Sequence, residues 1–156
     1  MKNIHVGNLD LKTTAESLRS FFEPVRTQNG KSILLAEDER PLRTLLLRIL
    51  RAAGYNVIVA ADGRDGLKKS RQFNGTIHLL LSDVEMPNMT GIELATQIQI
   101  DRPGIPVLLM SGMESGMVLL NESWQFLPKP FTSDLLNERV RHLLLQVSAK
   151  AELNGA

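Results

Sequence analysis

The sequence predicts an α/β chain built on a five-stranded parallel sheet, and three observations carry that prediction. Short apolar runs, such as Ile33-Leu34-Leu35-Ala36, Leu79-Leu80-Leu81 and Val107-Leu108-Leu109-Met110, read as buried strands. Between them lie stretches whose apolar residues recur at helical spacing, and this alternation implies right-handed crossovers with helices on both faces of the sheet. Finally, four of the runs end at a charged or polar group: Glu37 and Asp38, Asp83, Ser111, and Lys129. If those strands are parallel neighbours, all five groups meet at one edge, where open α/β sheets carry their chemistry.

From Lys31 onward the elements follow in order. Ser32 to Ala36 is the first strand. Glu39-Arg40-Pro41 opens a helix, Pro41 being tolerated in a first turn. Leu42, Leu45, Leu46, Ile49 and Leu50 form its buried stripe, and Gly54 stops it. Tyr55 to Ala60 is the second strand, followed by a turn at Asp62-Gly63. A weakly amphipathic helix with Leu67 and Phe73 inward ends near Asn74-Gly75. Ile77 to Ser82 is the third strand and Met86 to Gly91 a loop. A helix carrying Ile92, Leu94, Ala95, Ile98 and Ile100 ends at Pro103-Gly104. Ile105 to Met110 is the fourth strand and Gln125 to Leu127 a short fifth, with Trp124 partly buried beside it. Thr132 or Ser133 caps a last helix with Leu136, Val140, Leu143 and Val147 on one face. About five helices are expected. Residues 148–156 read as a flexible tail.

Residues 1–30 stand outside this rhythm. Ile4 to Leu9 reads as a strand, Thr13 or Thr14 caps a helix holding Ala15, Leu18, Phe21 and Phe22, and Gln28-Asn29-Gly30 reads as a linker. The division is therefore an extension at 1–30, a main domain at 31–147 and the tail. With 156 residues and 43% hydrophobic content, one ordinary core is within reach. A formal net charge of +1 gives no electrostatic reason to expect nucleic acid or membrane. The absence of cysteine excludes thiolate catalysis and thiolate metal sites. No apolar stretch reaches the roughly 18 residues of a membrane span. The expected location is cytoplasmic.

The clustered groups define a chemistry. A carboxylate such as Asp83 can accept a phosphoryl group only if the crowding of negative charge is relieved. A hard cation does this, and Mg²⁺ prefers oxygen ligands, among them one or two carboxylates. Glu37 and Asp38 supply those together with Asp83. Lys129 can neutralise phosphoryl oxygens, or pair with Asp83 when no phosphoryl group is present, and Ser111 can donate a hydrogen bond. Phosphoryl transfer asks mostly for positioning and electrostatics, so this short set suffices. Taken singly, an acidic pair after a strand is ordinarily a solvated helix start and a lone Lys-Pro means little; the weight lies in the set.

In their order, Leu35-Ala36-Glu37-Asp38-Glu39, Ser82-Asp83-Val84-Glu85-Met86-Pro87, Met110-Ser111-Gly112 and Leu127-Pro128-Lys129-Pro130-Phe131 resemble the motif series of response-regulator receiver domains. The resemblance covers about residues 31–147. It implies the flavodoxin-like doubly wound fold with strand order 2-1-3-4-5. It also implies that Asp83 is phosphorylated by a histidine kinase or a histidine phosphotransfer protein. Carried over by position, Asp38 and Asp83 bind Mg²⁺, Glu37 assists through water, and Glu85 contributes its backbone carbonyl. Ser111 becomes the hydroxyl switch residue and Phe126 the switch aromatic, although Phe126 also reads as a core residue. The Lys129–Pro130 bond is expected to be cis, aiming the lysine into the site. Glu85 and Met113 occupy positions that tune phosphoryl lifetime in this family. His78 and His142 read as structural.

Two departures stand out. Ser111 to Lys129 is about one helical turn short for a receiver, which predicts a short or irregular helix within 113–123. This puts in doubt the face that in this family transmits the signal or supports phosphorylation-dependent dimerisation. The N-terminal segment, Ile4-His5-Val6-Gly7-Asn8-Leu9 with Thr14 to Pro24, resembles the first strand and helix of an RNA-recognition motif, where the position of His5 usually stacks on a base. The match ends near Val25. One strand makes no stacking platform, so RNA binding through residues 4–25 is the weaker reading. The leading reading is a stand-alone phosphoacceptor module, not an enzyme, with an unidentified output protein as partner. The competing enzymatic reading is a Mg²⁺-dependent phosphohydrolase with Asp83 as nucleophile. Such enzymes usually need a dedicated general acid and a substrate cap, and neither is visible: the second residue after Asp83 is Glu85 rather than aspartate.

Overall fold

The computed structural model describes residues 30–112 and 123–155. In chain order they form β1 (Ser32–Ala36), α1 (Arg40–Ala52), β2 (Asn56–Ala60), α2 (Gly63–Gln72), β3 (Leu79–Asp83), α3 (Gly91–Asp101), β4 (Val107–Ser111), β5 (Trp124–Pro128) and α4 (Ser133–Asn154). The five strands pair in the order β2-β1-β3-β4-β5, all parallel. This is the doubly wound, flavodoxin-like order that the motif series implied. The expected strand at Ile4 to Leu9, the helix after Thr13 or Thr14, and the segment 113–122 lie outside the described residues.

Successive strand residues point to opposite faces, and both faces are covered. Ile33, Leu35, Leu79, Leu81, Leu108 and Met110 pack beneath α1 and α4, against Leu46, Leu50, Leu136 and Val140. Leu34, Leu80, Val107 and Leu109 pack on the other face against Leu94, Ala95 and Ile98 of α3. Every residue of β1, β3 and β4 is buried. At roughly 1.5–3 kcal/mol per buried aliphatic side chain, these strands form a rigid frame for whatever projects from their ends. Trp124 opens β5, is buried, and donates from Nε1 to Gln99 Oε1 at 2.9 Å, tying the edge strand to α3.

Helix starts follow local chemistry. Thr90 and Glu93 form a reciprocal capping box at α3. Asp62 accepts from the Asp65 amide at α2, and Thr132 from the Leu135 amide at α4. α1 has no side-chain cap, and Pro41 in its first turn removes one of the donors that would need one.

The structure corrects several expectations. Leu45, assigned to a buried stripe, is 53% exposed because it sits at the margin of that stripe, about 100° around α1 from buried Leu46. Ile100, also assigned to a buried stripe, is 67% exposed because it lies about 200° around α3 from buried Ile98, on the opposite face. Val147, one helical turn past buried Leu143 and Leu144, is 39% exposed. Ile77 and Ile105 are buried but precede their strands, which start at Leu79 and Val107. Ordered structure does not stop at Ser148: α4 runs to Asn154, through alanines, a lysine, a glutamate and a leucine that all favour helix. Among the described residues no helix is long and apolar enough to cross a membrane.

Candidate functional site

The strand ends bring the predicted groups together. The chain leaves β1 at Glu37, which is fully buried, and Asp38, which is exposed. Glu37 Oε1 accepts from the Glu39 amide at 3.1 Å. From the first turn of α1, Arg43 Nη1 donates to the carbonyls of Glu37 at 2.8 Å and Asp38 at 3.2 Å, pinning this acidic turn from the helix side. At the end of central strand β3 lies Asp83, buried and in register with Met110 of β4. One residue further along β4 is Ser111, also buried, whose carbonyl accepts from the Lys129 amide at 2.8 Å.

Lys129 leaves β5 beside a cis bond to Pro130. Its Nζ lies 3.2 Å from Asp83 Oδ1 and 3.3 Å from Glu37 Oε2, so one ammonium bridges two buried carboxylates. Burial raises Glu37 above the ordinary carboxylate range, and the nearby Asp83 charge adds to this, against the opposing Glu39 amide and Lys129. Burial also raises Asp83, against Lys129, with Asp38 contributing upward. For Lys129 burial is the largest single influence and acts downward, but the two carboxylates together outweigh it and the ammonium is held above its ordinary value.

Glu37, Asp38 and Asp83 each offer a carboxylate oxygen, all within 4.8 Å of one another. An all-oxygen set with an exposed member and charge in excess of one lysine fits a hard divalent cation. Glu85 is exposed, and its backbone amide lowers the Asp83 carboxyl against the effect of burial. Phe126 is half-buried and packs on the α3 side of the sheet. Met113 lies outside the described residues. His78 is structural as expected: its Nδ1 accepts from the Ser32 amide at 2.9 Å, far from the carboxylates.

Two contributors were missed in the sequence. Arg43 was read only as part of the helix, although an arginine one turn into a helix that follows an acidic turn can reach back to it. Gly91 was read as loop. A Cβ there would lie 2.0 Å from the Asp83 carbonyl oxygen and 3.0 Å from Ser82 Oγ, so α3 begins in direct contact with the backbone of Asp83. Ser82 Oγ donates to that same carbonyl at 2.9 Å. A glycine directly after a threonine cap is the signal that could have found it.

A sequence profile described as the response regulator receiver domain matches residues 33–141. The transcriptional regulatory protein CpxR of Escherichia coli (strain K12) is 38% identical over 115 residues, which cover 72% of this chain and 48% of that protein. The chain spans about half or less of the length of the curated relatives it matches. Among solved structures, the receiver domain of the hybrid histidine kinase CckA is 40% identical with a TM-score of 0.64, covering 72% of this chain and 98% of that one. The response regulator protein TrrA of Thermotoga maritima, solved in complex with Mg²⁺-BeF, is 31% identical with a TM-score of 0.64 over the same shares. Over residues 33–141 the chain thus belongs to the response regulator receiver domain family, whose members accept phosphoryl groups in two-component signalling.

Proposed function

We propose that Asp83 is the phosphoacceptor, taking a phosphoryl group from a phosphohistidine on a histidine kinase or phosphotransfer protein. An Asp83 carboxylate oxygen attacks phosphorus, the phosphorus–nitrogen bond breaks, and the imidazole leaves with a proton from solvent. The observation that carries this reading is the placement of a buried carboxylate at the end of the central strand, 3.2 Å from an ammonium and grouped with two further carboxylates. Glu37, Asp38 and Asp83, with the Glu85 carbonyl, would hold Mg²⁺, Glu37 through water. When bound, the ion supplies charge neutralisation between the carboxylates and the incoming phosphoryl group.

The remaining work falls to this chain's own side chains. Lys129 balances the phosphoryl oxygens from the β5 side. Ser111 donates its hydroxyl to one of them, and Phe126, on the neighbouring edge strand, repacks in response. Rigid β1, β3 and β4 keep these groups in place without reorganisation, which is where phosphoryl-transfer sites derive most of their effect. Output runs through protein–protein contacts of the switched face.

Incubation with acetyl phosphate and Mg²⁺ tests the assignment. The expected product is a stoichiometric, alkali-labile phosphoprotein that is absent in Asp83→Ala. Turnover of unrelated phosphoesters without such an adduct would instead establish the phosphohydrolase reading.

A further inference from the structure

A groove of about 350 Å³ opens at the other edge of the sheet, where the strands begin. Its walls include Ile77, Ile105, Leu144 and Val147, with Lys31 and His78 at the β1 and β3 side. Three of the polar side chains around it, Arg102, His78 and Ser148, are already engaged, Ser148 Oγ donating to the Leu144 carbonyl at 3.1 Å. The Arg102 guanidinium donates to Ser70 Oγ and to the carbonyls of Ser70, Phe73 and Gly75. His78 Nδ1 accepts from the Ser32 amide. Between the engaged polar groups, Ile77, Pro103, Ile105, Pro106, Leu144 and Val147 give the groove an apolar strip suited to an apolar occupant. Val147 is 39% exposed although Leu143 and Leu144 beside it are buried, so an apolar surface is left uncovered by the described residues.

The chain itself supplies an occupant at the rim. Lys31 lines the groove, and Gly30 before it adopts a left-handed φ of 91°, so residues 1–29 join the domain at this point. Within them Leu18, Phe21 and Phe22 fall at i, i+3 and i+4, one face of a helical pattern. A segment of about thirty residues cannot bury these on its own. The five residues from Arg26 to Gly30 reach up to roughly 17 Å when extended, enough to turn the segment back across the groove. We propose that residues 15–22 dock in this groove, with Leu18, Phe21 and Phe22 covering Leu144 and Val147. The RNA-recognition-like start of the chain then serves as an intramolecular cover for the edge opposite the phosphorylation site.

The chain has no cysteine, so engineered pairs report on this contact without background. In the full chain, Phe22→Cys with Val147→Cys should form an intramolecular disulfide under mild oxidation at least tenfold faster than Phe22→Cys with Asp134→Cys. Asp134 lies in the first turn of the same helix, roughly 20 Å from Val147 along its axis. In a second measurement, Val147→Glu should raise amide exchange across residues 15–22 about tenfold while leaving phosphoryl uptake at Asp83 unchanged. Equal cross-linking rates, or exchange unaffected by Val147→Glu, would overturn the proposal. Disulfide-linked dimers would overturn it in favour of a second copy, and protection of residues 15–22 seen only with added mixed-sequence RNA would overturn it in favour of RNA binding.

Discussion

Gly91→Ala tests whether the contact between α3 and the Asp83 backbone sets the site. The added methyl carbon would lie 2.0 Å from the Asp83 carbonyl oxygen and 2.9 Å from its carbon, against ordinary contact at 3.4 Å or more. The carbonyl must therefore recede by about 1.4 Å (3.4 − 2.0). α3 cannot take up the shift easily: Leu94, Ala95 and Ile98 are fully buried, and its start is locked by bonds between Thr90 and Glu93. The displacement falls on Asp83 and Val84, and the Gly91 amide bond to the Val84 carbonyl at 2.9 Å stretches with it. Overpacking costs roughly 1–3 kcal/mol and a weakened hydrogen bond about 1 kcal/mol, so a loss of about 2–4 kcal/mol is expected. A shift of about an ångström in a reacting group costs on the order of 10²-fold in rate, which is the drop expected in phosphoryl uptake from acetyl phosphate. Gly66→Ala is the control, because its Cβ meets only side-chain methyls, those of Leu94 at 3.2 and 3.5 Å and of Ala60 at 3.6 Å, inside a helix that favours alanine. Urea unfolding at constant m measures the first effect and single-turnover uptake the second. An unchanged midpoint together with a rate within threefold of the parent would refute the reasoning.

Further predictions concern the charged groups. Lys129→Met leaves the buried Glu37 and Asp83 carboxylates without their shared ammonium. It should lower stability by roughly 2 kcal/mol, less than for a fully buried pair because the carboxylates can take up protons, and urea denaturation at neutral pH reads it. Arg43→Ala frees the acidic turn from α1; calorimetric titration should show Mg²⁺ affinity falling about tenfold, with unfolding stability changed by no more than roughly 1.5 kcal/mol. Burial, and after it the Lys31 charge, hold His78 below its ordinary imidazole value. A lowered folded value means that the unfolded chain binds the proton more readily, so this contribution to stability is present above about pH 6.5 and is lost as pH falls through the folded value. Denaturation at pH 7.5 and pH 5 should show a smaller acid-induced loss in His78→Gln than in the parent, and equal losses would contradict the assignment.

How much of this was legible in the sequence depends on the range of the interaction. β1, β3 and β4 are covered on both faces, so they write themselves as continuous apolar runs, and the site follows because its members come directly after those runs. The strand starts were harder. Ile77 and Ile105 are as apolar as strand residues and as buried, but their role is to close the lower edge of the core, and only the pairing pattern distinguishes them. Leu45 reads as core because hydrophobicity alone does not say which flank of a stripe meets the sheet. Arg43 and Gly91 act across a turn, on residues 37, 38 and 83, through distances no local pattern encodes. Glu37 is the informative middle case: its place in the cluster was legible, its complete burial was not, because that depends on neighbours distant in the chain such as Ala60, whose carbonyl accepts from its amide, and Lys129, 3.3 Å from its carboxylate.

Under the proposed function, that burial predicts that the site would bind two ligands better than one. Three carboxylates face a single ammonium, leaving a formal excess of two negative charges in a partly dry pocket, and the raised values of Glu37 and Asp83 are the expected symptom. A divalent cation cancels that excess. An added phosphoryl group without the cation deepens it, because a carboxylate is replaced by an acyl phosphate carrying about one further negative charge. Cation and phosphoryl mimic should therefore reinforce one another, and by linkage each must raise the affinity of the other by the same factor. In the doubly loaded site, Lys129 and the Ser111 hydroxyl would face the residual negative charge on the phosphoryl oxygens. Those two groups sit at the ends of β4 and β5, so under the proposed phosphoryl acceptance any rearrangement would be confined to these strand ends and the β5 edge, leaving the buried frame in place.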